Sequence, residues 1–379
     1  MTVTAAPDVT VIGAGLVGTA IALRLAETGL QVTLVDSAFA GGGSTGAAMG
    51  HLVAMDDSPA QLALCADSRT RWQALAETLP RDAEFDGCGT LWLAANDTEL
   101  QAAQDRIRVY AGQGVRAELL DARALALAEP GLATGLSGAL LVPGDAVIYP
   151  PTVARELLRR ATGLGVHVRS GVTATALEAH VVCFADGTRL PTGAIVVAAG
   201  VASPELVPGL PVVPRKGHLV ITDRRPGVLR HQLVELGYLQ SAHSFGEASV
   251  AFNLQPRQTG QLLIGSSREL VGLDASINRP LLGRMLDRAR QFFPAVGEMR
   301  ALRTWVGFRP TTPDKLPLIG RWPTLPDLWI ATGHEGLGIT MAPGTAELIA
   351  AGLLGTRSTI DPAPFLPDRA MPSLAEHAS

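Results

Sequence analysis

The chain has 379 residues, 47% of them hydrophobic and 17% charged, with a formal net charge of −4. That length suffices for two or more domains with substantial cores, and the charged share lies below the roughly 25% of ordinary soluble domains, as suits a buried sheet around a large enclosed ligand. The absence of basic runs argues against nucleic acid as a partner, and no apolar run reaches the ~18 residues of a transmembrane helix.

Cys65, Cys88 and Cys183 are widely spaced and form no C-x-x-C pair. Buried free thiols in a reducing compartment are expected, with neither a disulfide framework nor a metal site. The N-terminus runs straight into the first predicted strand and leaves no room for a cleavable signal, so the expected location is the cytoplasm, with peripheral contact to the inner face of a membrane left open. Met1 to Asp8 and the tail after Leu366 are polar or Pro-rich, and disorder is expected there.

Val9, Thr10, Val11 and Ile12 form a β-branched run that predicts a strand. Gly13, Gly15 and Gly18 follow at the spacing G-x-G-x-x-G, and Leu16, Val17, Ala20, Ile21, Leu23 and Leu25 predict a helix that stops near Gly29. Gln31 to Val35 reads as a second strand, closed by Asp36. Each glycine has a physical task. Gly13 permits the turn, Gly15 lets the backbone approach a pyrophosphate, and Gly18 lets the helix pack on the sheet with its free N–H groups aimed at phosphates. Asp36 stands where a carboxylate accepts hydrogen bonds from the ribose hydroxyls of an adenosine, and it would repel a 2′-phosphate. Glycines alone are a weak signal; the strand–turn–helix–strand–acid order makes a dinucleotide site the reading, against an ordinary Gly-rich turn.

Ala40 to His51 is dominated by small residues, as in a flexible linker or in a loop and helix start pressed against the second half of a flavin. A linker has no reason to interrupt a nucleotide domain, so the second reading is preferred. His51 is either a packed, hydrogen-bonded histidine or an acid–base group. Gln61 to Leu79 predicts a helix, Gly89 to Ala94 a strand, Glu99 to Gly112 a solvated helix, Asp121 the start of a short helix, and Gly138 to Val142 a strand. A helix from Thr152 to Gly163, capped by Thr152, opens a second pass through the nucleotide domain. It continues with strands at Val166 to Arg169 and Val172 to Leu177, a hairpin around Asp186 and Gly187, and a buried strand from Ala194 into Gly200. Pro204, Pro208, Pro211 and Pro214 mark a crossover. Val250, Phe252 and Leu254 alternate with Ala251, Asn253 and Gln255 as a half-buried antiparallel strand, whose partner runs from Gln261 to Gly265. Pro280 to Phe293 predicts a helix. Leu328 to Gly333 is a last strand, followed by a loop through Thr340 and a helix to about Leu354.

The glycine motif with Asp36, Ser44-Thr45-Gly46-Ala47-Ala48, Ala198-Ala199-Gly200, Gly307-Phe308-Arg309-Pro310, and Gly333-His334 with Gly336-Leu337-Gly338 occur in an order that resembles the FAD-dependent D-amino-acid oxidase family. That family includes glycine oxidase, sarcosine oxidases and D-amino-acid dehydrogenases. Within it, Gly50-His51-Leu52, Met55-Asp56-Asp57-Ser58 and Ala251 to Gln255 are similar to bacterial D-hydroxyproline dehydrogenases. The resemblance implies an α/β fold, α+β overall. A Rossmann-like FAD-binding domain (residues 1–84, 145–205 and 304–366) would carry an inserted, mainly antiparallel substrate-binding domain (residues 85–144 and 206–303).

Residue by residue, the resemblance assigns Gly13, Gly15, Gly18 and Asp36 to the ADP half of FAD, and Ser44, Thr45 and Ala47 to the loop from pyrophosphate to flavin. It assigns Val172 to a backbone contact with adenine and Gly200 to the cofactor-side turn. Gly336, Leu337, Gly338, Ile339 and Thr340 would meet the pyrimidine end of the ring, where a helix N-terminus stabilises the negative charge of reduced flavin. Arg309 would grip the substrate carboxylate through two parallel hydrogen bonds; a structural salt bridge is its alternative role. Two positions depart from the family. Glu335 stands where some relatives carry an arginine, and Ala47 stands where some carry the histidine that attaches FAD covalently, so non-covalent FAD is expected. Lys216 either faces the flavin or solvates a strand end. The implied chemistry is oxidation of an unprotonated amine by hydride transfer from Cα to flavin N5, giving an imine, in a D-amino acid or a cyclic imino acid such as cis-4-hydroxy-D-proline. Electrons would leave to a quinone-linked carrier or to oxygen, with a dehydrogenase favoured over an oxidase. Rival readings are a glycine- or sarcosine-type oxidase and an NAD(P)H-using flavoprotein, although no second nucleotide fingerprint follows Asp36. A homo- or hetero-oligomer is open.

Overall fold

The strand Val9–Ile12 is flanked on both sides by parallel partners, Val32–Asp36 and Ala194–Val197, and is buried along its whole length. A strand covered on both faces needs apolar side chains at every position, which is why it reads as a continuous β-branched run rather than an alternation. The computed structural model describes residues 6–55, 57–237 and 248–371. In it this strand lies inside a six-stranded sheet ordered Leu318–Arg321, Leu328–Thr332, Ala194–Val197, Val9–Ile12, Val32–Asp36 and His167–Ser170. Neighbours are parallel except for the hairpin of Leu318–Arg321 with Leu328–Thr332.

One face of the sheet is covered by the helices Leu16–Glu27, Pro59–Ala76, Pro150–Gly163 and Gly338–Leu354. The other packs against a three-stranded sheet made of Ala174–Glu178, Val181–Phe184 and Arg189–Pro191. Close helix contact is bought with small residues: a Cβ at Gly344 would stand 2.4 Å from Ser68 Oγ. Trp72, buried in Pro59–Ala76, donates its indole N–H to the carbonyls of Ile339 (3.1 Å) and Thr340 (2.9 Å) and so fixes the start of the C-terminal helix.

The second sheet has eight strands, in the order Ala301–Thr311, Val213–Thr222, Leu262–Arg268, Ser249–Pro256, Gln232–Glu235, Thr90–Ala94, Gly138–Val142 and Glu118–Asp121. It is antiparallel apart from the pairing of Gln232–Glu235 with Thr90–Ala94. The helix Arg279–Phe292 covers one face, with Phe252 and Phe292 stacked at 4.8 Å. The expected alternating, half-buried strand is corrected here: Asn253 and Gln255 are as buried as Phe252, because their face meets the other part of the chain. The division expected at residue 304 falls inside the strand Ala301–Thr311, which pairs along its length with Val213–Thr222.

Other local expectations also change. The helix expected from Thr152 begins at Pro150, and Thr152 lies in its first turn rather than capping it; two prolines with preset φ start the helix instead. Residues 1–5 and 372–379, and Asp56, lie outside the described residues. Within the described part the ends are held, since Asp8 accepts from Gln31 N–H at 2.8 Å and Arg369 Nε bonds Asp314 at 2.7 Å. Cys65 is fully buried, with its thiol pushed up to about 12, while Cys88 and Cys183 are half-buried; all three are free. Among the described residues no helix is long and apolar enough to cross a membrane.

Candidate active site

A cavity of about 570 Å³ runs along the carboxyl ends of the parallel strands and out against the eight-stranded sheet. Open parallel sheets carry ligands at this edge, where the strand order reverses. At one end Gly13 turns with φ +107°, and a Cβ there would stand 2.4 Å from Ala198 O. A Cβ at Gly18 would stand 1.8 Å from Gly13 O, so Gly18 serves packing and does not line the cavity. The first helix has no side-chain cap of its own. Thr45 Oγ1, from a loop 29 residues on, accepts the Leu16 N–H at 2.9 Å. Asp36 is fixed by accepting N–H groups from Ala14 and Ala38, both at 2.7 Å, with its carboxylate at the cavity wall. Val172 lines the same end and donates its N–H to Asp36 O at 3.0 Å.

In the middle, the short helix Gly43–Ala47 meets the strand Ala301–Thr311. Ser44 Oγ donates to Phe308 O, Trp305 Nε1 donates to Ala47 O at 3.1 Å, and a Cβ at Gly307 would stand 2.7 Å from the Ala47 Cβ. The loop expected at a pyrophosphate is therefore stitched to the second sheet. Gly200 lines the opposite wall at φ +56°, its carbonyl accepting from Thr332 Oγ1 at 3.0 Å. Gly336, Gly338 and Ile339 line the cavity at its far end, whereas Leu337 lines only a smaller cavity beside it and Thr340 lines neither. Thr340 is buried, donating to His51 O at 3.0 Å and accepting from Val53 N–H at 3.2 Å.

That far end holds the charged groups. Arg309 reaches the cavity across Gly217 and donates from Nη1 to Ser267 O at 3.1 Å. Glu335 enters from the turn after the last strand, at φ +48°. Burial alone would raise its carboxyl, but the positive charges of Arg309, Arg268 and Arg215 and the Gly336 N–H hold it below the ordinary carboxylate range. A smaller cavity of about 50 Å³ adjoins, sharing His51, Asn253, Glu335 and Gly336 and adding Arg215, Arg268 and Lys315. His51 Nδ1 bonds Gln232 Oε1, whose amide nitrogen donates to Thr90 Oγ1 at 2.8 Å, and the imidazole Nε2 lies 3.3 Å from the Met49 sulfur. Burial pulls it down to about 4, and it is neutral at pH 7.

Lys216, expected to face a flavin or solvate a strand end, does neither. Side chains alternate along Val213–Thr222, which sets Arg215 and Gly217 on the cavity face and Lys216 on the opposite one. There it is buried, 3.4 Å from Glu269 and 3.2 Å from Asp274. Asn253, Ser266, Gly217 and Met49 line the cavity without having been marked as site residues. The parity of Asn253 in its strand was the available signal.

A glycine-lined cleft at strand ends, an acid at its head, and an arginine and a glutamate at its foot now stand together. A family model described as FAD dependent oxidoreductase matches residues 8–351. The chain belongs to that family. It is 30% identical to the glycine oxidase of Pseudomonas aeruginosa over 381 residues, covering 95% of this chain and 98% of that protein. It is 29% identical to a D-amino acid dehydrogenase of Xanthobacter autotrophicus over 423 residues, covering 93% and 96%. The crystal structure of glycine oxidase from Geobacillus kaustophilus superposes with a TM-score of 0.87 at 26% identity, over 97% of this chain and 99% of that one. FAD is the cofactor of the family, and the residues present fit it. The Gly13 cradle leaves no room for a side chain where the ADP half must approach, and Asp36 stands where its ribose would lie. Ala47, in the short helix between the two ends of the cavity, offers no nucleophile for a covalent bond.

Proposed function

We propose that this FAD-dependent amino-acid oxidoreductase oxidises the amine-bearing carbon of a D-amino acid or a cyclic imino acid such as cis-4-hydroxy-D-proline, and acts as a dehydrogenase. The observation that carries the reading is Arg309, a guanidinium lying over a glycine at the far end of the cavity, beside the Gly336 turn. Arg309 holds the substrate carboxylate in a two-pronged grip and so fixes Cα. The buried walls around His51, Met49 and Asn253 exclude water, and His51, being neutral, adds no charge that would repel the amine. Bound FAD would supply the acceptor for the hydride from Cα; with the N–H proton lost to solvent the product is an imine, open to hydrolysis by water. In this reading residues 1–84, 145–205 and 304–366 serve the cofactor and residues 85–144 and 206–303 the substrate, with Ala301–Thr311 bridging the two. The finer likeness to D-hydroxyproline dehydrogenases rests on the segments Gly50 to Leu52, Met55 to Ser58 and Ala251 to Gln255.

A glycine- or sarcosine-type oxidase using oxygen is the second reading, favoured by the likeness to the Pseudomonas glycine oxidase. One experiment addresses both. The FAD-loaded protein is mixed anaerobically with D-proline, cis-4-hydroxy-D-proline, their L-enantiomers, glycine, sarcosine and linear D-amino acids, and bleaching of the flavin is followed. The reduced protein is then given an artificial dye or air. The proposal expects fastest bleaching by the cyclic D-compounds and faster reoxidation by dye than by air. Fastest bleaching by glycine or sarcosine with rapid peroxide formation selects the oxidase, and no bleaching by any amine overturns both.

A further inference from the structure

We propose that Glu335 receives the substrate's amine: its carboxylate accepts the N–H of the same amino acid whose carboxylate Arg309 holds. The inference rests on the amino-acid reading above and adds a second recognition point to it. The Glu335 N–H donates to Pro310 O at 2.8 Å, and Thr311 bridges to His334. The residue after Arg309 is thus bonded to the residue that carries the carboxylate, so the backbones bearing the two opposite charges are held side by side at the wall of one cavity.

The carboxylate is within ion-pair range of arginines, yet its hydrogen-bonding capacity is not used up. Its Oε2 takes the N–H of the adjacent Gly336. Its Oε1 is buried and accepts no hydrogen bond among the described residues; Arg215 Nη1 stands 3.7 Å away and Arg268 Nε 4.0 Å, too long for hydrogen bonds. Arg309 spends Nη1 on Ser267 O. Arg215, Arg268 and Lys315, with Asp57, surround Glu335 from the smaller cavity, and neutral His51 faces it from the shared wall. The arginines offset part of the cost of burying this charge, and a ligand N–H would add the hydrogen bond that those longer contacts do not supply. An amino acid is a zwitterion, with its cation one carbon from its anion. Arg309 and Glu335 present the complementary pair, and a carboxylate without an amine would meet Glu335 as a repelling neighbour.

The test uses Glu335→Gln in the FAD-loaded protein, with ligands that cannot be oxidised because Cα carries no hydrogen or no nitrogen. 2-Methylproline is titrated calorimetrically against tetrahydrofuran-2-carboxylate, and 2-aminoisobutyrate against isobutyrate. The variant should weaken the amine-bearing member of each pair on the order of ten- to a hundredfold, while the amine-free member binds as well or better. The pH profile supplies a signature that a purely structural role does not move. A nearby carboxylate favours the protonated amine, so the limb for flavin reduction at saturating amino acid should shift to lower pH by about one unit in the variant. Equal losses for both members of each pair, or a limb that stays in place, overturn the proposal. Should Glu335→Gln lose FAD, Glu335→Asp keeps the charge but withdraws it, and selective weakening of the amine-bearing ligands or its absence decides in the same way. Arg309→Lys is titrated alongside. Undiminished binding of amine-free carboxylates to that variant would sink the carboxylate anchor, while the Glu335 ratio is read independently of it.

Discussion

The Arg309 guanidinium lies across Gly217, where a Cβ would stand 2.4 Å from Nη1. A lysine there retains the charge but loses the fork, and a Cα displaced by an ångström is poorly placed for reaction. Arg309→Lys should keep fold and FAD while losing catalytic efficiency. Arg309→Ala should lower it on the order of 30- to several-thousand-fold, because truncating one partner of a buried charge pair costs about 2–5 kcal/mol. An amine without a carboxylate should lose far less. Flavin reduction by matched amines with and without the carboxylate measures this, and equal losses would make Arg309 structural. A second prediction concerns acid. His334 is buried against Thr345, 2.9 Å away, and burial pulls its imidazole from 6.5 to about 3; His51 falls to about 4 for the same reason. Below pH 6.5 the unfolded chain takes up protons that these folded histidines refuse, so stability is lost as pH falls, by about 2 kcal/mol per histidine at pH 5. Asp145 acts in the opposite sense. Burial lifts it to about 6, so it gains its proton earlier folded than unfolded and offsets part of the loss. The melting temperature should drop between pH 7 and pH 5, and His334→Gln should flatten that slope. A slope unchanged by the substitution would assign the acid sensitivity elsewhere.

The glycines of the first turn divide into two kinds of work, and substitution separates them. Gly18 abuts the Gly13 carbonyl, so Gly18→Ala forces the helix Leu16–Glu27 off its strand. It should lower the melting temperature of the FAD-free protein, as overpacking by one methyl costs about 1–3 kcal/mol. A Cβ at Gly15 meets only Thr45 Oγ1, at 3.3 Å. Gly15→Ala should melt close to the parent and bind FAD at least about tenfold more weakly, which a fluorescence titration reads. Loss of stability in both would refute the division. This unit was legible in the sequence because its signals are local: a β-branched run, a turn, an apolar helix and an acid in 28 residues. The second sheet was legible only in part. Gly138 to Val142 and the pair around Phe252 announced themselves, but Val213–Thr222 and Ala301–Thr311 carry prolines, arginines and lysine where a buried strand should be apolar. Of these, Arg215 and Arg309 are there because the strands line a site, so part of what hides the strands marks the cavity. Lys216 failed for a related reason. Without the strand its parity was unknown, and its direction could not be read.

At the scale of the whole molecule, the cavity is closed by segments far apart in the chain, from Gly13 to Ile339. A ligand gripped by all of them binds only the folded state, so excess FAD should raise the melting temperature by mass action, by about 2.7 kcal/mol of stability at a hundred times Kd. With alanine at position 47 the flavin should leave intact when the chain is denatured and filtered, and colour retained on the denatured chain would contradict it. Two segments of the cavity wall also each carry an indole on their backbone: Trp305 donates to Ala47 O, and Trp72 to Ile339 O and Thr340 O. A flavin ring absorbs where tryptophan emits. The chain therefore contains its own optical gauge of occupancy, dim when loaded and bright when the cofactor departs, and loading can be followed in unlabelled protein as it happens.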